Sequence, residues 1–191
     1  FSLTCILSIV WVILGYALAV GKSGGLTGGL TNIFHNGVLP EEIITSAFQM
    51  TFFVITPGLI VGTFVERVKF SAVVIFSVLW ALLVYAPICH ITWFGGWFNQ
   101  IGVEDLAGGI VVHITAGVAA LIFCIMVGKR KDATPPHNLP MTVTGTAMLW
   151  VGWFGFNGGS QAAASNDAAM TIFVTHISAA MGAVTWAAIE W

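Results

Sequence analysis

The chain has 191 residues, of which 58% are hydrophobic and 7% are charged, and its mean hydropathy is +0.95. Because a soluble domain exposes far more charge, this composition predicts an integral protein of a lipid bilayer. The formal net charge of -2 argues against nucleic acid as a partner, since phosphate binding requires a basic face. The three cysteines lack paired or metal-ligand spacing and are expected to be packing residues, and no metal or cofactor is predicted.

Uncharged segments long enough to cross a hydrocarbon core of about 30 Å, at about 1.5 Å per helical residue, recur along the chain. They predict an all-α membrane helix bundle with spans at about 1–20, 45–65, 70–90, 106–128, 139–159 and 168–189. Residues 21–42 are expected to form a solvated loop, because they are rich in Gly, Thr and Asn. The chain does not begin with Met, and we expect it to be truncated at both ends.

The orientation follows from the basic residues. The loops at 66–69 and 129–132 hold Arg67, Lys69 and the three consecutive basic residues 129–131, while Lys22 lies in the loop 21–42. The positive-inside rule therefore places both basic loops in the cytoplasm and residues 21–42 outside.

The fourth predicted span contains one ionisable side chain, His113. Asp105 precedes this helix and can accept hydrogen bonds from its first amides, and Gly109 and Gly117 share a helical stripe with His113. An ionisable group within a span usually has a partner or lines a pathway. Taken alone, His113 is as consistent with packing against a neighbouring helix as with a pore.

Two further patterns are candidates for function. Phe48 and Phe52 lie four residues apart near the outer end of the second span, and Phe156 and Ser160 lie near the outer end of the fifth. Aromatic pairs at this spacing are more often packed or lipid-facing than functional, so neither pattern establishes a site by itself.

The order of several motifs is more specific. The chain reads Phe48-Gln-Met-Thr-Phe52, Glu66-Arg-Val-Lys-Phe-Ser71, His90-Ile-Thr-Trp93 and Asp105-Leu-Ala-Gly-Gly-Ile-Val-Val-His113, followed by Gly128-Lys-Arg, Pro136-His-Asn-Leu-Pro140 and Gly152-Trp-Phe-Gly-Phe-Asn-Gly-Gly-Ser160. This sequence resembles the ammonium transporter (Amt/MEP/Rh) family, Amt branch, over nearly its whole length. The resemblance implies a transporter or channel for ammonium, ammonia or methylammonium rather than an enzyme.

The resemblance also assigns roles to residues at the outer mouth. By motif position, Trp93, Phe48 and the hydroxyl of Ser160 bind the ammonium ion, and Asp105 shapes this substrate-binding site without lining the pore. A cation over an aromatic ring gains about 0.5 to 2 kcal/mol. Stripping an ion of its water in an apolar medium costs tens of kcal/mol by the Born estimate. Such a mouth can gather ammonium but cannot carry the ion through an apolar pore.

Inside the mouth, Phe52 and Phe156 match the two rings stacked across the pore entrance, and His113 matches the first of two facing pore histidines. Ammonium, unlike sodium or potassium, can lose a proton and cross as ammonia. A neutral imidazole can accept a hydrogen bond on one nitrogen and donate from the other, so His113 can pass ammonia or relay the released proton. The hypothesis is that the proton crosses separately, which makes transport electrogenic.

The resemblance implies a fold of eleven spans in two inverted repeats, assembled as a homotrimer in the plasma or inner membrane. This chain would hold most of the first repeat and the start of the second. A trimeric P-II signal protein is an implied cytoplasmic partner, at residues 129–139. An ammonium sensor with the same fold is an alternative reading, which the sequence beyond Trp191 would separate from a transporter.

The remaining histidines allow an alternative of a different class. His113 and His176 lie at similar distances from the outer ends of their helices, so they could ligate a haem in a membrane cytochrome. Packing between helices is the favoured interpretation of His176. His35 and His137 are expected to be solvated in loops, and His90 is expected at the membrane interface.

Overall fold

The computed structural model describes residues 1–22, 25–131 and 135–191, and the regular elements in these ranges are all helical. The predicted all-α class is confirmed. The chain forms two units, residues Phe1–Lys131 and Asp132–Trp191, and each is treated separately below. Two residues of the predicted outer loop (23–24) and three of the predicted P-II segment (132–134) lie outside the described residues.

The first unit contains four long helices and one short helix. They are α1 (Ser2–Val20), α2 (Ile43–Ile60), α3 (residues 70–93), α4 (Trp97–Gln100) and α5 (Gly109–Val127). Single 3-10 turns extend α2 at both ends, at Pro40–Glu42 and Val61–Thr63. The first four predicted spans overlap α1, α2, α3 and α5, and their ends differ from these helices by up to five residues.

The second unit is a pair of contacting helices, α6 (Leu139–Gly159) and α7 (Asn166–Glu190). Side-chain caps define both beginnings: the Asn138 side chain accepts from the Met141 N–H, and the Ser165 side chain accepts from the Ala168 N–H. Such caps satisfy amides that have no partner within the helix.

Polar side chains join α6 to α7. The Asn157 amide donates to the Thr175 hydroxyl at 2.9 Å, and the Gln161 amide donates to the Thr171 hydroxyl at 3.2 Å. Hydrogen bonds of this kind hold membrane helices together where the hydrophobic effect cannot distinguish helix from lipid.

Five helical segments of the described ranges are long and apolar enough to cross a membrane. They are Ser2–Val20, Pro40–Thr63, Phe70–Gln100, Gly109–Val127 and Asn166–Glu190. Helix α6, with 21 residues, also has the necessary length, but its Thr, Gly, Trp and Asn residues lower its hydropathy. A sixth span at α6 therefore stays a prediction.

Aromatic side chains form the core of the first unit. Trp11 of α1, Phe53 of α2 and Tyr85 of α3 are almost fully buried, with ring centroids 5.2 Å apart for Trp11 and Phe53 and 5.5 Å for Phe53 and Tyr85. The second pair is edge-to-face, which the aromatic quadrupole favours. This cluster ties the three helices together at one depth.

Three helices of the first unit contain a π-helical turn, at Trp11–Gly15, Ala81–Tyr85 and Gly109–Ile114. Each lies within or at the start of a segment that otherwise follows the α-helical repeat. A π turn widens the helix, changes the direction of the following side chains and frequently marks a functional site. The third turn contains His113.

Two arginines join the C-terminal ends of α2 and α5, which the sequence predicts to be cytoplasmic. Arg67 donates to the carbonyls of Thr63 and Gly128, and Arg130 donates to the carbonyl of Gly62 at 3.3 Å. Arg67, which follows α2, thus satisfies the Gly128 carbonyl at the end of α5. Arg130, which follows α5, satisfies the Gly62 carbonyl at the end of α2. The last carbonyls of a helix lack intrahelical partners. An exposed ion pair between Arg130 and Glu66, at 3.9 Å, adds to this contact.

Candidate functional site

A run of three aromatic rings lies at the side of the first unit that the sequence predicts to face outward. The Phe48 and Phe52 rings, one helical turn apart on α2, have centroids 4.9 Å apart, and Phe52 meets Trp93 of α3 edge-on at 5.5 Å. Phe52 is 1% exposed, whereas Phe48 and Trp93 are partly exposed. The structure therefore brings together three of the residues that the sequence assigned to the mouth and the pore entrance.

Trp93 is held by a hydrogen bond. Its indole Nε1–H donates to the backbone carbonyl of Asp105 at 2.6 Å. Because the indole N–H is directed to this carbonyl, the bond fixes the plane of the ring. The ring faces, whose π electrons attract cations, take no part in this bond.

The Asp105 carboxylate caps helix α5. Its Oδ1 accepts from the N–H groups of Gly108 and Gly109, both at 2.7 Å, and its Oδ2 accepts from Ile110 at 2.8 Å and Val111 at 3.1 Å. The sequence predicts a cap at Asp105, and the carboxylate does cap the helix. Gly108 is the residue directly before the helix, and Asp105 lies three positions before Gly108. The negative carboxylate also faces the positive end of the helix dipole.

His113 lies in the π turn that this cap begins. The Gly108 carbonyl accepts from both the Val112 N–H at 2.9 Å and the His113 N–H at 3.0 Å, so the helix starts with α and π bonds together. Gly108 has φ 98°, and a Cβ at this position would lie 2.6 Å from Val112 Cγ2. Glycine is therefore required at Gly108 both for backbone conformation and for space.

The immediate surroundings of His113 differ on the two sides of the helix. Val111 and Val112 are fully buried, whereas His113 and Ile114 are exposed in the first unit. A Cβ added at Gly117, one turn further along, would meet no atom within 4 Å. The imidazole thus lies on the exposed side of α5, opposite the buried Val111 and Val112.

Phe156 and Ser160 belong to the second unit. The Phe156 ring stacks on Trp153 of the same helix, with centroids 4.7 Å apart and planes inclined by 19°. The Ser160 hydroxyl donates to the Phe156 carbonyl at 2.7 Å, so its oxygen retains lone pairs that can accept a hydrogen bond. Both residues lie at the end of α6, as the sequence predicts.

The structure changes the interpretation of two histidines. His35 is not simply solvated: its Nδ1 lies 3.2 Å from the Val12 carbonyl, its Nε2 lies 2.6 Å from the Ser46 hydroxyl, and its ring packs against Tyr16. His90 is 1% exposed, and its Nδ1 donates to the Ala19 carbonyl at 3.0 Å. The His90 ring is therefore packed between α3 and α1, and its depth at the membrane interface stays a prediction. Spacing in the sequence gives no signal for either contact, since the partners are distant along the chain.

His176 packs between helices, as the favoured interpretation has it. Its ring lies 5.5 Å from Trp150 and 6.0 Å from Phe154, both on the neighbouring α6. Within residues 1–22, 25–131 and 135–191, no group of three or more His, Cys, Asp or Glu side chains is arranged to hold a metal ion.

Comparison with known proteins supports the resemblance. The chain is 45% identical over 203 residues to the ammonium transporter of Bacillus subtilis, in an alignment that covers 100% of this chain and 50% of the relative. Its structure superposes on the crystal structure of Saccharomyces cerevisiae Mep2 with a TM-score of 0.89, at 32% identity, covering 99% of this chain and 46% of Mep2. A solved structure titled Sensor Amt Protein matches with a TM-score of 0.82, at 33% identity, covering 94% of this chain and 49% of that protein.

The chain thus spans about half the length of the relatives that it matches. The profile of the Ammonium Transporter Family matches residues 1–191, the whole of the chain. With this match, the 45% identity and the shared fold, the chain belongs to the ammonium transporter family.

Proposed function

We propose that the complete protein containing this chain gathers ammonium at an aromatic outer site and conducts ammonia through an apolar pore, with His113 as proton relay. Membership of the family and five apolar helices make the chain part of a multi-pass membrane protein. The observation that carries the proposal is the contact of Phe52 with Trp93, because Trp93 is in turn bonded to the residue that caps the His113 helix.

In the proposed mechanism, Phe48 and Trp93 attract the cation through their ring faces, and Ser160 accepts one N–H of the ion. These interactions gain at most a few kcal/mol, far less than the tens of kcal/mol that a bare ion needs in an apolar medium. The ion therefore gives up a proton before the gate rings Phe52 and Phe156. Ammonia passes, and the neutral imidazole of His113 accepts the released proton on its unprotonated ring nitrogen and relays it separately.

The experiment uses the complete reading frame, reconstituted in proteoliposomes on a supported membrane. Ammonium is expected to evoke a current, with methylammonium as a weaker substrate, while sodium and potassium at the same concentration evoke none. A potassium current as large as the ammonium current would contradict the requirement for deprotonation. Flux of ammonia without any current would contradict the separate transfer of the proton.

An ammonium sensor is the second candidate, and it is favoured by the similarity to the solved Sensor Amt Protein. A sensor would bind ammonium at the same aromatic site without sustained flux. Binding, followed by tryptophan fluorescence, together with neither current nor uptake of ammonia, would identify a sensor.

The cytochrome alternative has no support in the comparisons, and absence of a Soret band in the purified protein would exclude it.

We further propose that the protein is a homotrimer in the plasma or inner membrane, regulated by a P-II signal protein at the cytoplasmic loops. The support is family membership together with the position of residues 129–131 beside the cytoplasmic end of α2, through the bond from Arg130 to Gly62. The mass of the detergent-solubilised complete protein tests the trimer. Co-purification with P-II protein from the same genome tests the partner.

A further inference from the structure

The outer loop of the first unit is attached to two helices by one side chain. His35 is the last residue of a 3-10 turn at Ile33–His35 and places its ring against α1 and α2. Its Nδ1 lies 3.2 Å from the carbonyl of Val12, inside the π turn of α1, and its Nε2 lies 2.6 Å from the hydroxyl of Ser46, in the first turn of α2. The ring also packs against Tyr16 in a tilted arrangement, with centroids 4.5 Å apart and planes inclined by 31°.

These hydrogen bonds form a chain with one consistent direction. The Trp11 indole N–H donates to the Ser46 oxygen at 3.1 Å, and this bond is buried. The Ser46 hydroxyl can then donate to His35 Nε2, and the protonated Nδ1 donates to the Val12 carbonyl. Trp11, His35 and Ser46, named here the His35 network, thus connect the loop, α1 and α2.

The backbone indicates that this placement of His35 is maintained by its contacts. Phe34 and His35 have φ of 57° and 55°, two successive non-glycine residues in the left-handed region. This conformation is unfavourable for residues with a Cβ and persists where surrounding interactions fix it. Phe34 is 68% exposed and contributes little packing, so the bonds of His35, together with the bond from the Asn32 amide to the Asn36 carbonyl at 2.9 Å, offset the strain.

The position of Ser46 on α2 connects the network to the aromatic site. Successive residues of an α-helix are about 100° apart, so Ser46 and Phe48 project to nearly opposite sides of α2. Ser46 is buried against Trp11 and His35, while Phe48 is partly exposed and contacts Phe52. Fixing Ser46 therefore fixes the rotation of the outer turn of α2 and the direction of Phe48.

We infer that His35 is a positioning residue for ammonium recruitment, which acts through Ser46 on the orientation of Phe48. This inference rests on the proposed function, because it concerns the same aromatic site. Loss of the network is expected to weaken the apparent affinity for ammonium and to leave the maximal rate nearly unchanged, since Phe48 lies at the mouth and not at the step of proton transfer.

The experiment measures ammonium-evoked current in proteoliposomes of the complete protein, with variants His35→Ala, His35→Gln and His35→Asn. His35→Ala should raise the half-saturating concentration by about threefold, a fraction of a full cation–π interaction, with the maximal current per reconstituted protein within about twofold. A Gln amide can replace Nε2 at Ser46, and an Asn amide can replace Nδ1 at Val12. His35→Gln should therefore retain more affinity than His35→Asn, and the exposed His137→Ala should change nothing.

A double-mutant cycle separates positioning from general destabilisation. In a Phe48→Ala background, His35→Ala should no longer change the half-saturating concentration, because the ring that it orients is absent. An undiminished change in that background, or a loss confined to the maximal current, would overturn the inference.

Hydrogen–deuterium exchange provides a readout that does not need transport. His35→Ala should accelerate exchange in the first turns of α2 and leave α5 unchanged. Unaltered exchange at residues 43–48 would overturn the inference whatever the currents are. A wild-type protein without ammonium current, but with the expected change in exchange, would contradict the proposed function and leave the role of His35 in orienting α2 supported.

Discussion

Trp93 donates its indole N–H to the backbone carbonyl of Asp105 at 2.6 Å, while the carboxylate of the same Asp105 accepts four N–H groups at the start of α5. One residue therefore connects the ring proposed to attract the cation with the helix that carries His113. Trp93 bonds to the backbone carbonyl of Asp105, whereas the N–H groups of α5 bond to its carboxylate. Changing only the Asp105 side chain therefore tests the helix cap and leaves the carbonyl that binds Trp93 in place.

The first prediction concerns this cap. Asp105→Asn keeps the size of the side chain but turns one acceptor oxygen into an N–H₂ donor, which then faces two backbone N–H groups. Because the bonds are charge-assisted, we expect a loss of about 2 to 4 kcal/mol in the free energy of unfolding. Thermal unfolding in detergent measures it. Glu104→Gln, an exposed neighbour, is the matched control, and an equal effect of the two variants would contradict the role of Asp105.

The second prediction concerns the aromatic mouth. Trp93→Phe removes the hydrogen bond to Asp105 and replaces the indole by a ring that attracts cations less strongly. We expect the half-saturating ammonium concentration to rise by about 2- to 30-fold, which corresponds to about 0.5 to 2 kcal/mol. Ammonium-evoked current in proteoliposomes measures this. Trp97→Phe, at a residue that is 62% exposed and outside the aromatic run, should leave the concentration unchanged.

The fold class and the approximate position of the helices could be predicted from the sequence. The length of an apolar segment can be read without knowing which other segments it contacts. The position of Asp105 before an apolar run indicated the cap, and motif order singled out Phe48, Phe52 and Trp93, whose rings the structure brings into contact. The edge-on contact of Phe52 with Trp93 joins two helices distant along the chain, and residue spacing alone could not show it.

Two other features, the π turns and the contacts of His35, could not be predicted from the sequence pattern. The π turns at Trp11–Gly15 and Gly109–Ile114 depend on which carbonyl accepts which N–H, whereas periodicity arguments assume 3.6 residues per turn throughout. His35 was expected in a solvated loop because its neighbours are polar or turn-forming. Its actual partners, Val12 and Ser46, come from two different helices and become visible only when these are packed.

The third prediction concerns His113. If the imidazole relays the proton, His113→Ala should reduce the ammonium-evoked current by about tenfold or more, because a positioned side chain typically accelerates proton transfer by 10² or more. Uptake of ammonia, followed by a pH indicator inside the liposomes, should fall less than the current. His137→Ala, in an exposed loop, is the matched control. A current that persists unchanged in His113→Ala would contradict the relay.

The fourth prediction concerns the arginine contacts at the C-terminal ends of α2 and α5. Arg67→Ala removes the donors to the Thr63 and Gly128 carbonyls, and we expect a loss of about 1 to 3 kcal/mol in the free energy of unfolding. Arg67→Lys should recover part of this loss, because one ammonium group cannot reproduce the fork of a guanidinium. The unfolding midpoint in detergent measures both. Lys69→Ala, at an exposed residue of the same loop, should lie within about 0.5 kcal/mol of the wild type.

The last prediction compares two glycines of α6. A Cβ at Gly158 would lie 2.7 Å from Ile172 Cγ1 of α7, whereas a Cβ at Gly155 would meet no atom within 4 Å. Alanine favours a helix over glycine by up to about 1 kcal/mol, so Gly155→Ala should leave the stability of the 191-residue chain unchanged or raise it. In Gly158→Ala the Ile172 side chain must move away from the new methyl group. This movement also weakens the nearby hydrogen bond from Asn157 to Thr175.

Overpacking of this kind costs about 1 to 3 kcal/mol, more than the gain in helix propensity. Gly158→Ala should therefore lower the unfolding midpoint in detergent. The pair of variants carries its own control, since both add the same methyl group to the same helix. Pairing Gly158→Ala with Ile172→Val, which shortens the obstructing side chain, should restore part of the loss. Equal midpoints for Gly155→Ala and Gly158→Ala would show that α6 and α7 are not in close contact at Gly158.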